Sequence, residues 1–527
     1  MLHAKPATSS HSSKYTENSV EGERSHAEIM VVMSALMMAM LLAALDQTIV
    51  ATALPHIASD LNGLNRLSWV ATVYLLTSAV STPLYGKISD LYGRKKIFQA
   101  AIVLFLIGSA LCGLSQNMSQ LIFFRGLQGL GAGGLMTLAL AIIGDIVSPR
   151  QRGRYQGYFG AVFGVSSIAG PLLGGFFTDH LSWRWIFYIN LPLGILALMV
   201  IAARLHLPVR KTEHKIDFLG AGLLAVSVAS LLLATVWGGT DYAWSSKQII
   251  GLAISFFATA VLFVLRERRA AEPVIPLRLF KNDIFSVSVL LSLLAGVGMF
   301  GAIIFLPEYQ QIVRGYSATK SGLLLLPLIG GLLISVVGSG RLVTKFGRYR
   351  LFPIFGTFIM AVGFWLFSHV TVDTSQVVLS LWMLVLGLGM GSFMQVMTVA
   401  VQNSVDRKDL GSATSVVLFF RNIGSSLGAA IFGAVLTARL GYHLKQLVPL
   451  AAGHTQVSTN SLQSGASQLH RLPPSVQHLV LEAFARSFHD IFLIGIPFSL
   501  LAFVVALFLR EKPLSTSTKQ GPPAIEA

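Results

Sequence analysis

Two charged residues lie inside apolar runs where a charge is hard to place: Asp46 in LLAALDQTIVATALP and Arg125 in LIFFRGLQGL. A carboxylate in hydrocarbon is penalised by roughly 2.5 to 3.5 kcal/mol even on insertion scales, so each needs a chemical or structural reason. Burial and a nearby guanidinium act in opposite senses on a carboxyl's hold on its proton, and the sequence leaves their balance open. At ~1.5 Å per residue, Asp46 lies about eight residues and Arg125 about five from the outer ends of their helices, so their depths match. Two readings stand. Either Asp46 binds a transported proton and Arg125 replaces it as counter-charge, or the two form a static pair that fixes helix packing. Arg421, about ten residues into its own apolar run, has no certain partner, and Glu308 stands near the outer end of another. Both are candidates for a transport path, with an interfacial place for Glu308 equally open. Met299, Phe300, Phe393, Met394 and Met397 offer thioethers and rings that suit varied apolar ligands, or they face lipid.

The elements that must position these groups are membrane helices. Of 527 residues, 54% are hydrophobic and 12% charged, against about a quarter charged in a soluble domain. A span needs about 20 mostly apolar residues, and the sequence offers fourteen: near 29–54, 67–86, 97–114, 120–146, 155–177, 184–204, 217–238, 248–265, 285–307, 320–340, 351–369, 376–402, 411–436 and 487–509. The net charge of +16 is gathered in short clusters between these runs, among them Arg94, Lys95, Lys96, Arg150, Arg152 and Arg154. Lys and Arg are then about threefold more frequent on the side of the N-terminus, which puts both termini in the cytoplasm. That pattern argues against nucleic acid as a partner. Residues 1–28 show no cleavable signal peptide, so the first helix is expected to act as the insertion signal. The segment 438–486, rich in Ser, Gln, His and Leu, is expected to be an external, mobile or partly helical hairpin, and 510–527 a cytoplasmic tail.

The chain repeats itself. Gly86, Gly93 and Arg94 of GKISDLYGRKK recur as Gly340, Gly347 and Arg348 of GRLVTKFGRYR; Gly129, Gly131, Gly133 and Gly153 recur as Gly387, Gly389, Gly391 and Gly411. Two parallel six-helix halves follow, 29–204 and 285–509, with two helices (217–265) inserted between them, as in transporters that rock one half against the other. Thr344 stands in the second copy where Asp90 stands in the first. Gly160, Gly164, Gly170, Pro171, Gly174 and Gly175 place small residues at four-residue spacing, so helices can approach closely, and Pro171 permits a bend. Such a helix suits a tight seal between halves, or ordinary close packing.

LDQTIVATALP, GKISDLYGRKK, RGLQGLGAGG, GAVFGVSSIAGPLLGG and WRWIFYINLPLG together resemble motifs of the major facilitator superfamily, specifically its fourteen-helix drug:proton antiporters of QacA and EmrB type. The resemblance implies an all-α polytopic major facilitator fold in which the helices of Asp46 and Arg125 are neighbours. It also implies a latch on the cytoplasmic face formed by Gly86, Asp90, Gly93, Arg94 and Asp145. In that pattern Asp90 caps the helix opening near Gly411, whose free N–H groups and partial positive charge favour a carboxylate, and Arg94 meets Asp145. The second half, having Thr344, is expected to lack an equivalent latch.

Enzymatic readings find little support. GSSLG (Gly424 to Gly428) matches a hydrolase elbow only in letters, since that motif needs a strand-turn-helix. No phosphate-binding loop is present, and no His or Cys cluster has metal-ligand spacing. The single cysteine, Cys112, reads as packing. The expectation is therefore a multi-pass protein of the cell (inner) membrane without cofactor or metal. It would export amphipathic drugs or similar small molecules against protons, with any accessory export protein unidentified. A dedicated metabolite or lipid exporter is the alternative, and a non-transporting sensor a remote one.

Overall fold

The structure, a computed structural model, describes residues 26–61, 66–205, 217–239, 241–447 and 474–514. These form an all-helical bundle. In chain order the helices are α1 His26–Asp60, α2 Leu67–Tyr92, α3 Arg94–Leu114, α4 Met118–Ile146, α5 Pro149–His180, α6 Trp185–Tyr188, α7 Asn190–Arg204, α8 Phe218–Trp237 and α9 Lys247–Glu267. There follow α10 Asp283–Ile312, α11 Ala318–Leu323, α12 Leu326–Phe346, α13 Leu351–Phe367, α14 Gln376–Ser404, α15 Leu410–Leu447 and, as α16, Pro474–Leu507. Among the described residues, 12 helices are long and apolar enough to cross a bilayer. Two more run beside them. The Ser- and Thr-rich α2 lies along α4 and α15, and α13, of 17 residues, lies along α14 and α16.

Each expected apolar run is helical, and the differences have local causes. The run at 320–340 is broken at Leu324 and Leu325, just before Pro327 opens α12. The run at 184–204 is divided into α6 and α7 at Ile189. Polar side chains end the apolar stretches by capping the next helix: Asn117 accepts from Gln120 N at 2.9 Å, Asp217 from Gly220 N at 3.1 Å and Asn282 from Ile284 N at 3.0 Å. Such caps satisfy N–H groups that a helix start leaves free. Of the 438–486 segment, 438–447 continue α15 and 474–486 belong to α16. Its remaining residues, 448–473, lie outside the described ones, as do 1–25 and most of the C-terminal tail.

Packing follows two groups. α1 lies along α5 and α7, α2 along α4, and α3 along α4 and α7; in the second group α10 lies along α15, α12 along α14, and α16 along α10, α13 and α15. α8 and α9 pair with each other and dock against α2 and α15. α9 turns Ile250, Ile254, Phe257 and Val261 outward, an apolar face suited to lipid. Met299, Phe393 and Met397 are buried in the cores of the second group, and the partly buried Met394 packs against them. The Phe300 side chain lies outside the described residues.

Candidate functional site

The glycines of RGLQGLGAGG bring α4 close to its neighbours. A Cβ on Gly129 would meet Tyr74 O of α2 at 2.5 Å, and one on Gly131 would meet Phe105 Cα of α3 at 2.8 Å. Gly108 of α3 similarly abuts the Gln128 backbone. Small residues at these contacts let backbones meet, and Arg125 and Gln128 are thereby pressed against α1.

Asp46 and Arg125 form an ion pair there, Nη1 to Oδ2 at 2.6 Å, with relative exposures of 0% and 2%. Gln128 bridges them. Its Oε1 accepts from Arg125 Nη1 and its Nε2 donates to Asp46 Oδ1, both at 2.8 Å. Asn190, at the start of α7, donates to Asp46 Oδ1 at 3.4 Å and to Ser109 Oγ at 3.0 Å. Arg125 also donates from Nε to Val70 O at 3.3 Å and lies over the Tyr74 ring at 4.1 Å, a favourable cation–π position. Besides Asp46, Arg125 thus has Gln128, Val70 O and the Tyr74 face as partners. Cys112 lies at its edge, Sγ to Gln128 Oε1 at 3.7 Å. Sequence reasoning missed Gln128, Asn190, Ser109 and Tyr74. A signal existed for the first two, since each is a polar residue inside an apolar motif already singled out.

A second cluster lies at the basic end of the bundle, where α2 meets the start of α15. Asp90 accepts from Gly411 N at 3.0 Å, Ser412 N at 2.7 Å and Ser412 Oγ at 2.9 Å. Arg94 donates to Asp90 at 2.9 Å and to Ala141 O at 2.9 Å, and pairs with Asp145. Gly93 joins α2 to α3 at φ 93°, a region costly for residues with a Cβ. A Cβ on Gly86 would fall 2.5 Å from Ser415 Cβ and 2.7 Å from Gly411 O. All five expected latch residues and the helix start at Gly411 thus come together.

The other seam, α5 against α12, uses the repeat partners of those glycines. A Cβ on Gly153, the counterpart of Gly411, would meet Gly340 O at 2.9 Å, and Gly340 is the counterpart of Gly86. No carboxylate occupies the Thr344 position, but the seam is not left unbonded. Arg150 donates to Thr344 O and Lys345 O at 3.1 Å each, placing a cation at a helix C-terminus, the electrical inverse of Asp90 at an N-terminus. Between the seams Gln402 donates to Leu140 O at 3.0 Å and Thr414 Oγ1 at 3.1 Å, and Arg152 donates to Gln402 O at 3.0 Å. These bonds between the two groups gather at the basic end.

The glycines of α5 divide their work. Gly160 and Gly164 abut Val336 and Leu333 of α12, with would-be Cβ contacts of 2.6 and 2.8 Å. Gly170 and Gly174 instead face Thr48 and Thr52 of α1 within the first group, Gly175 meets nothing within 4 Å, and Pro171 stands inside the helix. Arg421 and Glu308 are not brought together. Gly296 packs on the Arg421 carbonyl, and Glu308 is twelve residues further along α10, roughly 18 Å away in depth.

The model of the Major Facilitator Superfamily matches residues 36–429. The chain belongs to that superfamily. It is 44% identical to an uncharacterised MFS-type transporter of Mycobacterium tuberculosis over 92% of this chain and 70% of that protein. It is 39% identical to the multidrug transporter protein MdtP of Bacillus subtilis over 95% and 96%. Among solved structures it resembles the proton:xylose symporter XylE at 14% identity, TM-score 0.60, covering 93% of this chain and 98% of that one. In this superfamily fold, Asp46, Arg125 and the seam residues line the helix contacts of a multi-pass membrane protein.

Proposed function

We propose that the chain is a proton-coupled exporter of amphipathic small molecules, a drug antiporter of the fourteen-helix branch. The observation that carries this reading is the buried Asp46–Arg125 pair bridged by Gln128. The multidrug name of its Bacillus subtilis relative supports the substrate class. In this reading α2 and α13 also cross the membrane, which raises the 12 spans to fourteen. Residues 29–204 and 285–509 are then the two moving halves, 217–265 is the insertion, and both termini are cytoplasmic. The basic end is the cytoplasmic face, and its latch of Gly86, Asp90, Gly93, Arg94 and Asp145, with Gly160 and Gly164 along the other seam, holds an outward-open state.

A proton arriving from outside neutralises Asp46 and releases Arg125 to Gln128 and Val70 O. The α1–α4 contact then no longer depends on charge, and the latch yields as the halves rock. Deprotonation toward the cytoplasm re-forms the pair. In inverted vesicles an imposed proton gradient is expected to drive uptake of an amphipathic dye, an uncoupler to abolish it, and Asp46→Asn to lower it at least tenfold, about the effect of losing one charge-assisted bond. Undiminished gradient-driven transport by Asp46→Asn would refute the coupling role.

A further inference from the structure

Among the described residues, the Arg421 guanidinium inside the bundle has nothing to neutralise it. Thr414, bonded to Gln402, and Leu418, buried among side chains of the first group, mark the face of α15 that looks across the seam. Arg421 lies seven residues beyond Thr414 and three beyond Leu418, hence on the same face, just past the Gln402 seal. Among the described residues no acid, carbonyl or ring takes up this guanidinium.

The available carboxylates are elsewhere. Gly86 stands opposite Ser415; from there Arg421 is six residues up α15, whereas Tyr74, which marks the Asp46 cluster, is twelve residues up α2. Arg421 is thus roughly 9 Å nearer the seal than that cluster, and both oxygens of Asp46 are already occupied by Arg125, Gln128 and Asn190. Glu308 is further away still, toward the opposite end.

A second polar group comes to the same height. Gln395 lies seven residues before Gln402 on the antiparallel α14, so it shares the face that meets Thr414. Its side chain is buried, and its amide also lacks a partner among the described residues. A planar guanidinium at the height of a free amide on the adjoining helix is an arrangement suited to an oxyanion, because both present N–H groups and neither supplies negative charge.

We infer that Arg421, assisted by Gln395, receives the anionic group of the exported substrate, so that amphipathic carboxylates, sulfonates or phosphates are preferred over purely cationic compounds. This rests on the exporter reading. The anion leaves water for a site already carrying an unpaired positive charge, and its binding relieves the penalty of that charge. A simple cation meets repulsion there instead.

The test uses a rhodamine with a free carboxylate and its methyl ester, which share one ring system and differ in that group. Binding to the purified full chain in nanodiscs is read by fluorescence anisotropy, and export by vesicle uptake. The carboxylate form is expected to bind the native chain more tightly than the ester. Arg421→Gln should raise the Kd of the carboxylate form roughly tenfold or more while leaving the ester within about twofold, and Arg421→Lys should recover part of the loss. Gln395→Leu should weaken the same form about threefold. Equal binding of both dyes by the native chain, or equal loss of both in Arg421→Gln, would overturn the inference while ester export still upheld the exporter reading. If the native chain neither binds nor moves either dye, both readings fall.

Discussion

Asp46 receives more donors than neutralisation requires. Arg125 alone would balance its charge, yet Gln128 and Asn190 also reach its other oxygen. A buried ion pair can often be replaced by apolar residues without loss of stability, so such a pair is weak evidence of a structural glue. The extra amides matter when the charge changes, because they give each partner an alternative hydrogen bond. Gln128→Leu removes the bridge and leaves two charged groups with fewer donors and acceptors. It is expected to destabilise the protein by about 1.5 to 3 kcal/mol, the range for a bond to a charged group. The thermal midpoint of the purified variant should fall, and proton-driven dye transport should fall with it. A midpoint equal to that of the native protein would show that the bridge carries no energy. In contrast, Cys112 is a neighbour of this network without an ionic role, and Cys112→Ser should leave transport within about twofold, since only a weak sulfur bond is exchanged.

At the scale of elements, two seams close one end of the bundle by opposite electrical means. Asp90 puts a carboxylate on the N–H groups that open α15, and Arg150 puts a cation on the carbonyls that end α12. A charge at a helix terminus contributes up to about 2 kcal/mol when partly buried. Asp90→Asn should therefore shift the population toward the state open at the basic end by about five- to thirtyfold. Cysteines introduced at Gly144 or Gly157, on helices lining that end, would report the shift as faster alkylation in a Cys112→Ser background, and an unchanged rate would reduce Asp90 to a packing contact without a role in closure. The inserted pair α8–α9 bears on the same seam. Lys87 of α2 pairs with Glu272, just after α9, at 2.5 Å, and Arg278 pairs with Asp409, just before α15, at 2.6 Å. The segment between these residues is folded by Glu267, which accepts from Val274 N and Ile275 N at 3.1 Å each. A charge reversal, Glu272→Lys, should loosen closure by ~1 kcal/mol and be rescued by Lys87→Glu.

Much of this was legible from residue types. Apolar runs located the long helices, though not the breaks at Ile189 and Leu324, and the glycine repeat marked the two halves, because hydrocarbon and close packing each restrict the residues they admit. Matched depth made Asp46 and Arg125 candidates for a pair, and the family resemblance supplied the neighbouring of their helices. Less was legible where a neighbour decides the role: Gly160 and Gly170 look alike in sequence, yet one faces α12 and the other α1. Arg150 gave no sign that it would bond carbonyls rather than serve only as a basic loop residue.

For the whole molecule the decisive quantity is the number of crossings, since an even count puts both ends of the chain on one side. The α2 helix is rich in hydroxyls, but Thr77, Ser81 and Thr82 bond carbonyls one turn back, at 2.9, 3.2 and 2.8 Å, which removes much of the cost of carrying them through hydrocarbon. The α13 helix is only 17 residues long, within the range that spans a bilayer when neighbouring segments take up the mismatch. In the proposed fourteen-helix reading both cross, and connections then alternate between the two faces along the chain. Single cysteines at Asp60, Gln116, Asp241 and Asp373 are expected to react with a membrane-impermeant maleimide added outside intact cells. Those at Lys96, Gln151, Arg269, Arg348 and Lys408 should react only after permeabilisation. Each helix is bracketed by these positions: Asp60 and Lys96 flank α2, and Arg348 and Asp373 flank α13. Labelling of Asp60 and Lys96 from the same side would remove α2 as a crossing, and the same result for Arg348 and Asp373 would remove α13. Loss of either helix alone would make the count odd and place the basic C-terminal segment outside, against the charge bias that orients the other spans. A cytoplasmic position of Arg510 and Lys512 therefore requires that the two helices cross together or not at all, and the labelling pattern tests all three at once.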